Sequence, residues 1–355
     1  MNRRPAPHEA VIVFDIGGTR FRAGVYREGA LTDVRSRPAI SFRSAPELDG
    51  EGLRGALLDY LAETAEELAA RHGASLASLS LGAAMNGLTG EVYGSGPLWG
   101  EYSQRFDPRA ALAERAPSLR WTVLNDVSAA LLAYADSLPQ SQARKVMLVT
   151  VSTGIACRVL DMRSRSIPLD EFGLQGEVGH LPVQLSYQGR PVELACDCGG
   201  AGHLAAYSSG RGIAALTAWL RGEEEGMWQE SDYRRLRKQG LSEEEALAGA
   251  VEQRDTFAML LLRLATRPMA AWLRCALTLD PELDRIALAG GVCAGLGEHY
   301  REALLGHLRE QGVYLSSGFD PDYFSRRIHL AQPGQTSGLL GAGLHGLRPE
   351  ALHAA

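Results

Sequence analysis

The sequence predicts an α/β protein made of two domains with open, twisted sheets. Short apolar runs end repeatedly in turns of glycine and other small residues, and helical segments separate them. The strand and turn near Asp15 return near Thr150, which suggests two similar halves. A chain of 355 residues is also longer than one hydrophobic core usually fills. We expect two domains: residues 1–125 with 336–355, and residues 126–335, including a metal loop at 177–210.

The first elements follow from local sequence. Residues 11–14 and 21–26 are apolar runs on either side of the glycine turn Asp15-Ile-Gly-Gly-Thr19, which predicts a β-hairpin. Leucines between Leu53 and Leu68 recur at helical spacing, and Gly73 supplies a stop.

The later elements repeat this alternation. The expected buried strands are 79–85, 121–124, 145–150 and 286–289. The expected helices are 127–135, charged helices within 221–253, 255–279 with an interruption or bend at Pro268, one helix from 291 to about 310, and 336–347.

Composition excludes several classes of protein. The chain is 45% hydrophobic and 22% charged, as in ordinary globular proteins, and its net charge of −6 does not favour nucleic-acid binding. No apolar run approaches the roughly 18 residues of a membrane helix. The first residues lack the apolar core of a secretory signal. Five cysteines, an odd number, point to a reducing cytoplasm.

A metal site is predicted by two thiols and two imidazoles in one stretch. Cys196, Cys198, His180 and His203 form an N/S set suited to tetrahedral zinc, with no position left for water, so the site would be structural. The alternative is that the cysteines are small buried hydrophobes and the histidines lie on the surface. Four potential ligands so close together favour the metal. Glu177, three residues before His180, would be fixed with it in a polar substrate pocket.

The hairpin turn near the N-terminus is a candidate phosphate site. Gly17 and Gly18 allow backbone N–H groups to approach phosphate oxygens, and Thr19 adds a hydroxyl donor. Asp15, at the strand end, is placed to hold Mg²⁺, through water. A plain glycine turn fits the same residues, and local sequence does not separate the two interpretations.

Two further turns follow buried strands. Ser152, Thr153 and Gly154 offer hydroxyls and bare backbone, and together with the first turn they would form a phosphate clamp. Gly290 and Gly291 would let a flat base or ribose lie against the backbone.

Asn125 and Asp126 are the catalytic candidates. Phosphoryl transfer to a sugar hydroxyl needs a carboxylate that orients the hydroxyl and accepts its proton, and Asp126 follows a strand. Asn125 would bond a second hydroxyl. A helix N-cap is the other interpretation of this pair, and local sequence alone favours it.

Taken in order, these motifs resemble the ROK family, which is named for repressors, open reading frames and kinases and belongs to the sugar kinase, hsp70 and actin superfamily. The shared segments are Asp15-Ile-Gly-Gly-Thr19, Leu124-Asn-Asp126, Thr153-Gly154, Glu177-Val-Gly-His180, Cys196-Asp-Cys198-Gly199 and Ala289-Gly-Gly291. The resemblance spans residues 11–343. It implies a two-domain actin-like ATPase (ribonuclease H-like) fold with a cleft between the domains. It also implies ATP, Mg²⁺, a structural Zn²⁺, a homodimer, and a hexose phosphorylated at its 6-hydroxyl in the glucokinase-like members.

The resemblance also implies residue roles. Asp126 would be the general base, and His180 would bind sugar while ligating zinc with Cys196, Cys198 and His203. The sugar-binding residues would be Asn125, Gly87, Glu177 and His180. The phosphates would lie against Gly17, Gly18, Thr19, Thr153 and Gly154, and the nucleoside against Gly290 and Gly291.

Departures from the family pattern concentrate on the sugar side. In the family's CxCGxxGCxE segment, His203 takes the place of the third cysteine and Ala205 that of the glutamate. Imidazole can replace a thiolate on zinc, but Ala205 cannot bond sugar hydroxyls near the anomeric carbon. Asn86-Gly87 replaces the usual Pro-Gly pair. We therefore predict an acceptor other than plain glucose, such as an aminoglucose (kanosamine, for example) or a glucose-like cyclitol.

Two other functions stay open at this stage, and a third is disfavoured. One is a plain glucokinase, and another is a non-catalytic sugar-sensing protein that keeps the fold. The third is a transcriptional repressor, which would carry a helix-turn-helix module before the sugar-binding part. Asp15 lies too near the first residue to leave room for such a module.

Overall fold

The computed structural model describes residues 9–139 and 143–349. The strands are β1 (Val11–Ile16), β2 (Arg20–Arg27), β3 (Ala30–Pro38), β4 (Leu76–Leu81), β5 (Ala84–Met85), β6 (Val92–Gly94), β7 (Arg120–Asn125), β8 (Lys145–Val151), β9 (Ile155–Asp161), β10 (Leu185–Tyr187), β11 (Arg190–Val192), β12 (Leu283–Ala289) and β13 (Ile328–Leu330). The helices are α1 (Gly50–His72), α2 (Gly96–Trp99), α3 (Pro108–Arg115), α4 (Asp126–Asp136), α5 (Ala205–Ser208), α6 (Gly210–Glu223), α7 (Glu225–Glu230), α8 (Asp232–Lys238), α9 (Glu243–Glu252), α10 (Thr256–Leu279), α11 (Gly291–Leu296), α12 (Glu298–Gln311), α13 (Ser316–Phe319) and α14 (Gly338–Leu347).

The described residues divide into two compact units. The first holds the residues up to 139 with 158–175 and 332–349, and the second holds 143–157 with 176–331. Helix α4 belongs to the first unit, where it packs on β4, β7 and α14. The predicted domain limits, with a boundary between residues 125 and 126, stay a prediction, and the packing of α4 favours a boundary beyond Asp136.

The sheet of the first unit brings three strand ends to one edge. Its order is β3-β2-β1-β4-β7, with β1 antiparallel to β2 and parallel to β4, and β4 parallel to β7. Ile16 lies opposite Leu81, and Leu81 lies opposite Asn125. Asp15 and Asp126 flank this row, so carboxylates from two separate strand ends share the edge where α/β proteins commonly bind ligands.

Helix α1 covers one face of this sheet. Its buried leucines lie at the predicted spacing, and they share a core with the apolar side chains of β1 and β4. The Asp49 side chain accepts a hydrogen bond from Gly52 N (2.8 Å) at the start of the helix. Gly73 ends it in the left-handed conformation, with φ 67°. The predicted helix and its stop are confirmed.

Helix α14 packs on β1, β4 and α4 through glycines. A Cβ atom on Gly341 would lie within 3.0 Å of the Ala129 carbonyl oxygen, and one on Gly343 would meet the Tyr26 ring equally closely. Only a hydrogen atom fits between these surfaces, so this helix owes its close approach to the absence of side chains.

We expect Gly341→Ala to lower the free energy of unfolding by about 1–3 kcal/mol, because the added methyl must push the helices apart. Gly55→Ala is the matched control, since Gly55 lies inside α1 with nothing within 4 Å of an added Cβ. That control should be stabilising by about 0.5–1 kcal/mol. Urea unfolding followed by circular dichroism measures both, and equal effects of the two substitutions would contradict the tight crossing.

The sheet of the second unit repeats the arrangement of the first. Its order is β13-β12-β8-β9, with β8, β12 and β13 parallel to one another, and β9 follows β8 after a short turn. Strand β12 ends beside β8, with Ala289 opposite Thr150. The recurrence of a hairpin followed by parallel strands, expected from the sequence, is therefore present in both sheets.

Two expectations for the helices of this unit need correction. Helix α10 runs without a break for 24 residues through Pro268, so the helix is not interrupted there, and a bend at Pro268 stays a prediction. The single helix expected from 291 to about 310 is divided into α11 and α12 by Gly297, whose φ of 53° does not fit a right-handed helix. Within the described ranges, no helix combines the length and apolar character needed to cross a membrane.

Candidate active site

Asp15 is held at the end of β1 by partners from two other strands. Ser80 Oγ on β4 donates to Asp15 Oδ1 (3.2 Å), and Arg22 Nη1 on β2 donates to Oδ2 (3.0 Å). A Cβ on Gly338, at the start of α14, would lie within 3.0 Å of this carboxylate. The carboxylate is therefore fixed in direction and 18% exposed, which suits a group that holds a cation through water.

Sequence reasoning did not find Ser80, Arg22 and Gly338 as partners of Asp15. A serine with no exposed surface inside the apolar strand β4 was the available signal for Ser80. A buried hydroxyl needs a hydrogen-bond partner, and β4 is next to β1.

The turn between β1 and β2 leaves backbone open to a ligand. Gly17 N donates to Arg20 O (3.2 Å) and closes the turn, while an added Cβ on Gly17 would meet nothing within 4 Å. A Cβ on Gly18 would clash with Pro97 on α2. Thr19 is exposed. The Gly17 N–H is therefore used within the turn, and phosphate binding by Gly17, Gly18 and Thr19 stays a prediction.

Asn125 is the N-cap of α4. Its Oδ1 accepts hydrogen bonds from Val127 N (3.0 Å) and Ser128 N (3.4 Å), and its Nδ2 donates to Ala83 O (3.1 Å). The capping interpretation left open by the sequence is therefore present. One hydrogen of Nδ2 stays available for a ligand, so sugar binding by Asn125 stays a prediction.

Asp126 is the first residue of α4, where the helix dipole favours a negative charge. Its Oδ1 accepts a hydrogen bond from Val127 N (3.0 Å). Its Oδ2 lies 3.3 Å from the position of a Cβ on Gly82, which leaves no room there for a larger residue. The side chain is half-buried at the same sheet edge as Asp15. The hydrogen bond and the start of the helix fix the direction of this carboxylate, as the role of a general base requires.

The predicted sugar-binding Gly87 lies in a loop that leaves β5. The glycine is half-buried and follows Asn86, which is buried. The chain from Gly82 to this loop starts beside Asp126, so both belong to the same region of the first unit.

The turn between β8 and β9 is the counterpart in the second unit. Ser152 N donates to Gly154 O (2.9 Å), and Ser152 O accepts a hydrogen bond from Gly210 N (2.7 Å) at the start of α6. Thr153 and Gly154 are exposed. An added Cβ on Gly154 would meet nothing within 4 Å. Hydroxyls and free backbone thus stand at this sheet edge as well.

Gly290 lies beside that turn and cannot be replaced without strain. Its φ is +97°, and a Cβ would lie within 3.0 Å of the Val151 carbonyl oxygen. Gly291 begins α11, and an added Cβ there would meet nothing within 4 Å. This open backbone agrees with the expected nucleoside surface, a role that stays a prediction.

The structure brings the four candidate zinc ligands together. The ligand atoms of His180, Cys196, Cys198 and His203 all lie within 4.8 Å of one another. Cys198 Sγ is 3.2 Å from His203 Nδ1, and Cys196 Sγ is 3.9 Å from His180 Nδ1. Zinc bonds of about 2.0–2.3 Å place tetrahedral ligand atoms about 3.3–3.8 Å apart. The donor types suit a tetrahedral zinc ion, and the two separations given lie within about 0.1 Å of this range.

Glu177 and His180 are joined by a single turn of 3₁₀ helix (Val178–His180), in which His180 N donates to Glu177 O (3.1 Å). His180 directs Nδ1 towards Cys196, which leaves Nε2 for a second partner. Gly179, between them, is buried against Ile155 O, and its added Cβ would lie 3.3 Å from Ala205 Cβ. The candidate metal ligand His180 therefore lies near both Glu177 and the substituted position 205.

Comparison with solved structures identifies the fold. A ROK hexokinase from Thermus thermophilus superposes with a TM-score of 0.68 and 27% identity, covering 95% of this chain and 97% of that one. The two-domain actin-like ATPase fold predicted from the sequence is confirmed.

Residues 11–345 match the model of the ROK family, and the chain belongs to that family. It is 44% identical over 346 residues to a 2-epi-5-epi-valiolone 7-kinase of Actinoplanes sp., covering 97% of this chain and 94% of that protein. It is 29% identical over 352 residues to a C(7)-cyclitol 7-kinase of Streptomyces hygroscopicus subsp. limoneus, covering 96% and 94%. The family resemblance seen in the sequence is confirmed.

Proposed function

We propose that this chain is an ATP-dependent kinase that transfers a phosphoryl group to a hydroxyl of a seven-carbon cyclitol. It is a phosphotransferase with an alcohol group as acceptor. The two cyclitol kinases to which the chain is similar support this acceptor class, and they align with nearly its whole length. The sequence had led to a modified glucose or a cyclitol as acceptor, and we now favour the cyclitol over kanosamine.

The observation that best supports a cyclitol as the acceptor is the alanine at position 205. The family resemblance places a glutamate here that bonds hydroxyls near the anomeric carbon of a sugar. A cyclitol ring is made of carbon alone, so it has no ring oxygen and no anomeric hydroxyl. Ala205 stands beside Gly179 in the turn that joins Glu177 to His180. Losing the carboxylate there costs a hexose a partner but costs a carbocycle nothing.

The chemistry assigned to Asp126 is removal of the acceptor proton. As the acceptor oxygen bonds to the γ-phosphorus, its proton passes to the Asp126 carboxylate, and the bond to the β–γ bridging oxygen breaks to release ADP. Asn125, Gly87, Glu177 and His180 would orient the acceptor. The phosphates would lie against Gly17–Thr19 and Thr153–Gly154, and the nucleoside against Gly290–Gly291.

Cations complete the proposal. Asp15 would hold Mg²⁺, which neutralises charge on the phosphates when bound. A structural Zn²⁺ on His180, Cys196, Cys198 and His203 would fix the turn that carries Glu177. Zinc ligation by thiolates requires reduced cysteines, and a cytoplasmic location is proposed on that ground. A homodimer is proposed from the family resemblance, and light scattering would measure it.

A coupled ADP-release assay tests the acceptor. We expect kcat/KM for seven-carbon cyclitols to exceed that for glucose by at least about 100-fold, since a site with one mismatched polar partner discriminates by about this much. Kanosamine and N-acetylmannosamine should lie between the two. If glucose is the best acceptor, the chain is a plain glucokinase. If no acceptor is phosphorylated although cyclitol binds, it is a sugar-sensing protein.

Ala205→Glu is the companion variant. Restoring the carboxylate should raise kcat/KM for glucose relative to the cyclitol, while KM for ATP stays within about twofold. If the variant has the same acceptor preference as the unmodified chain, position 205 does not determine that preference.

A further inference from the structure

The loop that carries Gly87 is held by hydrogen bonds more than by burial. We define residues 86–91 as the acceptor loop. Leu88 at its tip is 46% exposed, and Thr89 is exposed beside it. The chain closes on itself through Asn86 N to Glu91 O (2.8 Å) and Gly90 N to Asn86 O (2.8 Å). Hydrogen bonds within the loop therefore help to fix the position of Gly87.

The Asn86 side chain makes the contacts that define the loop. Its carboxamide is buried, and the residue is 5% exposed. Oδ1 accepts hydrogen bonds from Leu88 N (2.8 Å) and Thr89 N (3.0 Å), which forms the turn itself. Nδ2 donates to the main-chain carbonyl of Glu171 (2.5 Å), which lies 85 residues away in the sequence. One side chain thus folds the loop and ties it to a distant segment.

That distant segment is shaped to receive the loop. We define residues 170–173 as the brace segment. Its Asp170 Oδ1 accepts hydrogen bonds from Phe172 N (2.9 Å) and Gly173 N (2.9 Å). Gly173 has φ +63°, and a Cβ there would lie within 3.0 Å of Gly87 N. Tyr93 Oη donates to Phe172 O (3.1 Å) as a second tie. The backbone of the brace segment therefore packs directly against Gly87.

The loop is also connected to the proposed base. Gly82 and Ala83 lead into it, and an added Cβ on Gly82 would lie 3.3 Å from Asp126 Oδ2. Asn125 Nδ2 donates to Ala83 O (3.1 Å). A shift of the loop that passed through Gly82 and Ala83 would therefore reach Asn125 and Asp126 at the acceptor end of the site.

We propose that Asn86 is a positioning residue that sets acceptor specificity by bracing the acceptor loop against residues 170–173. The inference rests on the proposed function, because it takes Gly87 as part of the acceptor site. The Pro-Gly pair that the family resemblance places here has no carboxamide. The brace is thus a property of this chain, located where its acceptor preference departs from the hexose kinases.

Asn86→Asp separates the two roles of the side chain. A carboxylate still accepts from Leu88 N and Thr89 N, but it cannot donate to the Glu171 carbonyl, and the two oxygens repel each other. We expect KM for the cyclitol to rise about tenfold and the preference for cyclitol over glucose to fall about tenfold. KM for ATP should stay within about twofold. Steady-state kinetics with each substrate varied in turn gives these values.

Two further variants test whether this result comes from the hydrogen bond to the Glu171 carbonyl. Glu171→Ala is the matched control, because the brace uses the main-chain carbonyl of Glu171 and its side chain is exposed. It should leave every constant unchanged. Tyr93→Phe removes the second tie and should move KM for the acceptor in the same direction by a smaller factor. It also supplies the test if Asn86→Asp does not fold.

The possible outcomes separate the inference from the proposed function. An Asn86→Asp enzyme whose acceptor KM matches the unmodified enzyme would overturn the brace alone. If KM rises equally for the acceptor and for ATP and the Tm falls, Asn86 contributes only to stability. Failure of the unmodified chain to phosphorylate any acceptor would overturn the proposed function. Even then, amide hydrogen exchange in residues 86–91 must rise in Asn86→Asp, and unchanged exchange would reject the brace.

Discussion

Asp126→Asn is expected to reduce turnover by about 10²–10⁴-fold, because an amide cannot accept the proton of the acceptor hydroxyl. The amide oxygen keeps the shape of the carboxylate and can still accept a hydrogen bond from Val127 N, so the start of α4 should be preserved. Rapid-quench measurement of product formation, with ATP affinity from calorimetry, separates chemistry from binding. ATP affinity should change by no more than about twofold.

Asp136→Asn is the matched control for this prediction. Asp136 lies at the other end of the same helix and is exposed, so the variant makes the same chemical change away from the site. It should turn over at the normal rate. If the Asp126→Asn enzyme retains its turnover, Asp126 is not the general base, whatever the acceptor is.

Loss of the metal is expected to be the largest effect on stability. Metal analysis should find about one zinc per chain, and Cys198→Ser should abolish it, because a hydroxyl is a poor replacement for a thiolate. Binding of a structural zinc contributes free energy to folding directly, so we expect the Tm to fall on the order of 10 °C. Chelation of the unmodified protein should give the same shift. Acceptor affinity should fall as well, since His180 loses its anchor.

Cys275→Ser is the comparison for the zinc variant, because Cys275 is also exposed but lies outside the cluster. It should keep its metal and its Tm. A protein that binds no metal would show that these four residues form an ordinary polar cluster. A Cys198→Ser variant that keeps one zinc would show that Cys198 is not a required ligand.

The sequence predicted best what depends on neighbours in the chain. The glycine turns after β1, β8 and β12 were visible because a buried strand must end before bare backbone can be offered to a ligand. The metal ligands were predicted from residue type and spacing, and three of them lie within eight residues of one another. For the same reason, Gly73 was identified as the end of α1.

What depends on tertiary packing was not accessible in this way. Ser80 and Gly338 meet Asp15 only because β4 and α14 fold against β1, and neither lies near Asp15 in the sequence. Asn86 was read as a substitution in a loop, while its partner, the Glu171 carbonyl, has no sequence signature at all. Of the interruption or bend expected at Pro268, the interruption is wrong, because the local preference of one residue was weaker than the packing of a long buried helix.

The way α14 completes the first unit has a consequence for synthesis of the protein. Strands β1, β4 and β7 are translated before the second unit, but the helix that covers them through Gly341 and Gly343 is translated after it. The first unit can therefore complete its packing only when residues 176–331 have been made, and until then its nascent sheet stays partly uncovered.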